Sequence, residues 1–405
     1  MGFCLGGFTN CLENEVGYAM GLTNLNFILV FLPVVFILYH FAAQRYKNLL
    51  LLISSITFLA LQQAFYLPFF ITFILVNFFL GRWIGKKSQD NKKNYPLIAA
   101  ITINIVLLAA FKFFSIHYSN IFDNPFLVNL LGSDTNTNSW ITPLGFSFIV
   151  FQVISYFIDI SNGICRSEKN ILNFSNYVLL FPKLISGPIE RYRNMNDQLI
   201  QRDESPDKIA HGIRRFILGL AKKVLIADTI AQFVNPIFNL SNPHIPSYLA
   251  WFILVGYTIQ IYFDFSGYTD MALGLGDMFG FRFTENFNFP YISRSVTEFW
   301  RRWHISLSSW FRDYIFIPTE FARRRSKFFT QQMTIVLVFV LTGVWHGFTL
   351  NFLIWGALFG LAIALESSRF GKWLKHAWRP LQHLWTMVWV MFGWIFFRSP
   401  NLAFA

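Results

Sequence analysis

The sequence predicts an all-α, polytopic integral membrane protein, and three observations carry that prediction. Hydrophobic residues make up 54% of the 405-residue chain and charged residues 13%, about half the charged share of a soluble domain. Apolar runs recur from one end to the other, and a helix needs about 20 such residues to cross the hydrocarbon core. Lys and Arg gather in short clusters between those runs, the pattern of loops on the cytoplasmic side of a membrane. The same clustering accounts for the net charge of +12 as a topology signal and leaves no nucleic-acid partner to invoke. Cys4, Cys11 and Cys165 have neither metal spacing nor a disulfide pattern.

The first apolar run is followed by Arg45 and Lys47, and further basic clusters lie within 82–93, 166–169, 183–193, 202–223, 282–327 and 369–379. Two polar loops, 117–140 and 236–248, contain no Lys or Arg. With the clusters inside and these loops outside, the N-terminus is extracytoplasmic. Residues 25–42 then cross inward, 96–116 outward, 141–160 inward, 213–235 outward, 248–264 inward and 381–398 outward, within a total of about ten spans. Three apolar stretches, 48–80, 174–188 and 333–365, begin and end on the basic side. The second is too short to cross and return, so it reads as re-entrant or interfacial. The third is also shorter than a hairpin of two full spans, roughly 40 residues. Two short helices that meet inside the protein fit it, and such breaks survive only where protein or a water-filled cavity surrounds them.

The expected break is Gly343-Val-Trp-His-Gly347, where two glycines permit unusual backbone angles. Between Lys327 and Glu366 there is no Asp, Glu, Lys or Arg. From Met333 to Trp345 the rising helix spans roughly 20 Å at 1.5 Å per residue, which places His346 deep but short of the outer surface. A neutral imidazole there can take a proton from an attacking hydroxyl. The plainer alternative is a histidine that hydrogen-bonds two helices, but ionisable groups inside membrane spans are functional by default.

Residues 299–318 read as one basic amphipathic helix at the cytoplasmic interface. Trp300, Trp303, Leu307, Trp310, Phe311 and Tyr314 form an apolar stripe, Arg301, Ser308 and Arg312 form a second stripe beside it, and His304 falls on the border. Trp and Arg also seat such helices in the interface. The functional reading is a cationic site for a donor that carries phosphate, such as a coenzyme A thioester or a phosphopantetheine arm, because the guanidinium presents donors in a fixed fork. Arg302 joins Arg301 and Arg312 in that role. His304 is then placed to orient the donor or to complete the catalytic site.

Two carboxylates, Asp264 and Asp270, close the span 248–264 in Tyr262-Phe-Asp-Phe-Ser-Gly-Tyr-Thr-Asp270. They require partners at that depth, and the nearby basic cluster offers them as structural ion pairs. Two Asp without a neighbouring His make a thin ligand set, so no metal site is expected. Phe181-Pro-Lys-Leu-Ile-Ser-Gly-Pro-Ile-Glu-Arg-Tyr-Arg193 reads as an irregular re-entrant turn. Its Lys183 and Arg191 serve either as phosphate contacts or as loop anchors.

Six motifs stand in order: Pro143-Leu-Gly-Phe-Ser-Phe, the 181–193 turn, Asp264-Phe-Ser-Gly-Tyr-Thr-Asp-Met-Ala, Glu285-Asn-Phe-Asn-Phe-Pro-Tyr, Glu298-Phe-Trp-Arg-Arg-Trp-His-Ile-Ser-Leu-Ser and Gly343-Val-Trp-His-Gly. Together they resemble the membrane-bound O-acyltransferase family, in particular its alginate O-acetyltransferase branch, with teichoic-acid D-alanyl transfer proteins as cousins. The resemblance implies a ring of helices around a tunnel, with the principal catalytic histidine on His346 and the second functional histidine on His304. It implies a cytoplasmic thioester donor, acetyl-CoA or an acyl carrier, as co-substrate and no resident cofactor. The acceptor is a cell-surface glycan or an exported SGNH-type acetyltransferase partner, and the location is the inner or plasma membrane. It further implies one domain over 25–398, an extension at 1–24 with Met20 as an alternative start, and a tail at 399–405 beyond which relatives continue. Ile317-Pro-Thr-Glu-Phe321 stands where the family has Ile-Pro-Leu-Gly-Gly. Two rival readings are D-alanyl transfer from a carrier protein and a non-enzymatic scaffold for glycan export, which would place ionisable groups near the midplane and show internal repeats.

Overall fold

The computed structural model describes residues 21–88, 95–122, 142–238, 240, 245–323 and 330–405. Every regular element among them is helical. The expected extension at 1–24 falls almost wholly outside these residues, as do residues 123–140 and part of the loop at 236–248; the first residues of the loop expected at 117–140, up to Phe122, are helical instead.

The helices divide into two compact units. One holds the described residues up to Phe216 together with Met271–Phe283. Here α1 (Phe27–Phe41) is followed by α2 (Gln44–Gln63) and α3 (Leu67–Ser88), joined through the turn Ala64–Tyr66. Next come α4 (Tyr95–Phe122), α5 (Phe146–Ser161), α6 (Ile171–Leu179) and α7 (Tyr192–Ile200). Phenylalanines pack edge to face through its middle, with Phe27 on Phe58 at 5.7 Å and Phe31 on Phe181 at 5.5 Å, the offset geometry the ring quadrupole favours. Polar side chains on these apolar helices pair with one another: Asn104 on α4 donates to Asn77 on α3 at 2.8 Å. The 174–188 stretch holds no helix long enough to span a membrane. Helix α6 ends at Leu179, a single 3-10 turn covers Phe181–Lys183, and extended backbone leads to α7.

The other unit holds Ile217–Asp270 and Thr284–Ala405. It begins within helix α8 (Pro206–Ala221), which passes through a π-turn at Lys222–Ala227 into α9 (Asp228–Phe238), and α10 (Ser247–Met278) follows, of which this unit holds the part up to Asp270. The expected ion pairs form here: Lys222 Nζ lies 2.6 Å from Asp270, and the fully buried Lys223 bridges Asp228 and Asp264. A buried carboxylate so paired recovers part of its desolvation cost. The segment expected at the interface contains α11 (Val296–Arg302), α12 (Ile305–Phe311) and, after a π-turn at Arg312–Phe316, α13 (Ile317–Arg323). Thr319-Glu320-Phe321 stays helical in α13, where Glu320 pairs with Arg323 at 2.9 Å. The unit closes with α14 (Gln331–His346), α15 (Leu350–Glu366), α16 (Arg369–His376) and α17 (Arg379–Arg398).

Among the described residues, three helical stretches are long and apolar enough to cross a membrane, Gln44–Lys87, Tyr95–Phe114 and Ser247–Met278, and the bent pair α15–α16 raises the number to four.

Candidate active site

The apolar stretch 333–365 folds as the short hairpin that its length requires. The Thr330 side chain caps α14 by accepting from the Met333 amide, and α14 ends at His346 itself. Gly347 is extended, and α15 starts at Leu350. The two helices meet closely because glycines line their seam. A methyl group on Gly343 would run into the Phe352 carbonyl, and one on Gly356 into the Phe339 carbonyl. The His346 ring therefore stands at the elbow, half-buried. It contacts Trp345 at 4.6 Å, Trp355 at 5.0 Å and Phe397 at 5.1 Å, and stacks on Phe352 at 5.9 Å.

The segment 299–318 differs from expectation. It is not one amphipathic helix, because the chain breaks at Trp303-His304, and His304 sits in the left-handed region at φ 44°, ψ 53°. Such a conformation costs a non-glycine residue about 1–3 kcal/mol, and hydrogen bonds to the irregular backbone at 286–288 offset it. The Ile305 amide donates to Asn286 O at 2.9 Å, and the Asn288 amide to Arg302 O at 2.9 Å. Asn286 Oδ1 accepts from the Ser306 amide at 3.1 Å and from Ser306 Oγ at 3.0 Å, and it lies 3.1 Å from His304 Nδ1. The break turns His304 off the expected amphipathic border and into the interior, where it is 2% exposed against the Phe265 ring at 4.7 Å. Burial pushes its pKa down from 6.5 to about 3, so the ring is neutral at physiological pH.

Helix α11 has seven residues and is held at its N-terminus by two side chains. Ser295 Oγ accepts from the Glu298 amide at its N-terminus. Glu366, from the end of α15, accepts from the Val296 amide at 2.6 Å, the Thr297 amide at 2.8 Å and Trp385 Nε1 at 2.9 Å. A carboxylate at a helix N-terminus also meets the positive end of its dipole.

Between α11, α12, α14 and the end of α15 lies a cleft of about 490 Å³. Arg301, Ser308 and Arg312 line it, with Ser309, Thr297 and Thr342 as further polar groups. Its apolar walls include Trp300, Leu307, Phe311 and Phe339. Both arginines are exposed. Thr342 precedes His346 by one turn of α14, about 6 Å along the axis, so the cleft reaches to within a turn of the elbow. Arg302 is not part of the lining. It pairs with Glu298 at 2.9 Å and donates to Asn288 O at 3.1 Å. Lys183 and Arg191 belong to the other unit. Lys183 is fully buried and donates from Nζ to Gln152 Oε1 at 2.5 Å and to Tyr177 O at 2.6 Å, which is the loop-anchor alternative. Arg191 is half-buried as the N-cap of α7.

Sequence reasoning attached no role to Asn286, Glu366 or Thr342. Asn286 stood in a quoted motif, but a lone Asn carries no periodic signal. Thr342 was legible as the residue four before His346 on the same helix face.

The chain matches the model of the membrane-bound O-acyltransferase family over residues 164–399. It is 39% identical to a probable alginate O-acetylase, AlgI, of Pseudomonas aeruginosa, over 94% of this chain and 72% of that protein. It is 33% identical to a peptidoglycan O-acetyltransferase of Helicobacter pylori, over 94% of this chain and 77% of that protein. With a teichoic acid D-alanyltransferase of Bacillus subtilis it shares 31% identity over 60% of this chain and 64% of that protein. The six motifs, the all-helical architecture and these likenesses agree: the chain belongs to the membrane-bound O-acyltransferase family and is an O-acyltransferase of the membrane.

Proposed function

We propose that this enzyme takes an acetyl group from a cytoplasmic thioester and passes it to a hydroxyl of a cell-surface polysaccharide or of peptidoglycan, directly or through an exported SGNH-type acetyltransferase partner. The observation that carries this reading is the cleft with Arg301, Ser308 and Arg312 at its polar side and, one turn of α14 beyond Thr342, the half-buried His346. Arg301 and Arg312 bind the donor's phosphates, and the thioester arm lies along the apolar wall toward the elbow. His346 accepts the proton of the acceptor hydroxyl as its oxygen attacks the thioester carbonyl. The C–S bond then breaks, the thiolate takes that proton, and an ester and a free thiol leave. His304 is the second functional histidine.

For two aqueous compartments to serve one histidine, about ten spans should surround a passage through the bilayer, with the N-terminus outside as the basic clusters require. The deciding experiment is mass analysis of surface polysaccharide and peptidoglycan from a deletion strain complemented with wild-type or His346→Ala protein. Acetyl esters on one polymer should vanish on deletion and return only with the wild type. Loss of D-alanyl esters instead would assign the enzyme to carrier-borne D-alanine, and unchanged acylation of every polymer would end the reading.

A further inference from the structure

We propose that Asn286 is a positioning residue that locks His304 as the uncharged tautomer with its proton on Nδ1 and its lone pair on Nε2. The role of His304 rests on the functional reading above; the lock itself does not.

The geometry leaves one assignment. The Ser306 amide can only donate, and it points at Asn286 Oδ1 at 3.1 Å. That atom is therefore the amide oxygen, an acceptor. His304 Nδ1 lies 3.1 Å from the same oxygen, so Nδ1 must carry a hydrogen. Burial keeps the ring neutral, and Nε2, itself buried, is left as the basic nitrogen.

The residue type carries the rest of the case. Asn286 uses only its oxygen, since its Nδ2 is buried with no hydrogen-bond partner among the described residues. An aspartate would accept the same three hydrogen bonds and bury no idle donor, a saving of the cost of an unsatisfied polar group. It would also place a carboxylate against Nδ1–H, which favours the imidazolium. The amide has the acceptor without the charge. Charges on the surrounding elements are committed elsewhere: Asp264, next to Phe265 on α10, pairs with Lys223, and Glu298 on α11 pairs with Arg302. Arg301 and Arg312 are exposed, as cleft-lining groups, and Glu285 adjoins Asn286 in the chain. Desolvation by burial lowers the His304 pKa.

Thermal unfolding of full-length wild type, Asn286→Asp, His304→Gln and the double variant in detergent, from pH 4.5 to 8, tests the lock without any assay of activity. The sign follows from proton counts. In the wild type the folded ring binds no proton between its folded and unfolded pKa values, so acidification below about 6.5 favours the unfolded chain. In Asn286→Asp the folded His–Asp pair takes up a proton, and that acid penalty shrinks. Relative to wild type, the Asn286→Asp midpoint should therefore rise as pH falls, and His304→Gln should abolish this relative rise. Parallel curves for wild type and Asn286→Asp at every pH, or a rise that persists without His304, would overturn the proposal. Transfer from radiolabelled acetyl-CoA in inverted membrane vesicles supplies the second readout. Asn286→Asp should be at least tenfold slower at pH 7 and recover toward pH 9 as the pair loses its proton. If wild type fails to use acetyl-CoA, the functional reading fails while the unfolding curves still decide the lock.

Discussion

Two histidines of one unit are held by opposite means. His346 ends a regular helix, and its place is set by local features: a hairpin too short to span, glycines at the seam and an aromatic box. His304 interrupts a helix, and its place is set by Asn286, 18 residues earlier in the chain. The first ring is half-buried and next to a cleft; the second is sealed and pinned through Nδ1. Proximity to a cavity and chemical definition of the ring are separate problems, and this fold solves one with packing and the other with hydrogen bonds.

The largest effect expected from breaking this comparison is at the elbow. His346→Ala removes the proposed base and leaves the glycine seam untouched. General-base help supplies about 10²–10⁴-fold, so acyl transfer by the purified variant should fall by at least two orders of magnitude, with an unfolding midpoint close to wild type. A variant that keeps a tenth of the wild-type rate would remove His346 from the chemistry.

The cleft should respond next. Arg301 and Arg312 are separated in sequence by the break at His304, and both face the cleft. A hydrogen bond to a charged group contributes about 1.5–3 kcal/mol, so Arg301→Gln or Arg312→Gln should raise KM for acetyl-CoA roughly tenfold or more with a smaller change in kcat. If kcat falls instead and KM holds, these arginines act on the reacting atoms and the donor lies elsewhere.

How much of this was legible in the sequence depends on how far each constraint reaches. The α14–α15 hairpin and its histidine were readable because length, glycine and the lack of charge are all local. The ion pairs of Asp264 and Asp270 were readable because a basic cluster lay close by. The break at His304 was not, since the heptad-like spacing of Trp300, Trp303 and Leu307 favours a continuous helix and only the distant Asn286 outweighs it. Lys183 was ambiguous for the same reason: its acceptor Gln152 is 31 residues away. Arg302 is the instructive miss. Glu298 stands four residues before it, an arrangement that pairs on any helix, and the pairing was there to be read.

A smaller effect separates the histidines by pH. His304 has its folded pKa near 3 against 6.5 when unfolded, so the wild-type unfolding midpoint should be highest above about pH 6.5 and decline as pH falls toward 3. His304→Gln should start lower, since it disturbs a packed site, but decline less steeply over that window. Equal slopes in the two proteins would mean that the folded ring titrates like an unfolded one.

The smallest effect is the control on the cleft assignment. Arg302 neighbours Arg301, yet its guanidinium goes to Glu298 and to the Asn288 carbonyl. A partly exposed i,i+4 pair contributes about 0.3–0.5 kcal/mol, so Arg302→Gln should barely move the unfolding midpoint and leave KM for acetyl-CoA within twofold of wild type. The contrast with Arg301→Gln is what matters, because simple loss of basic charge at the interface would weaken donor binding equally in both. Equal KM increases would mean that the donor senses the summed field of the basic segment; a rise confined to Arg301 and Arg312 ties donor recognition to the groups that line the cleft.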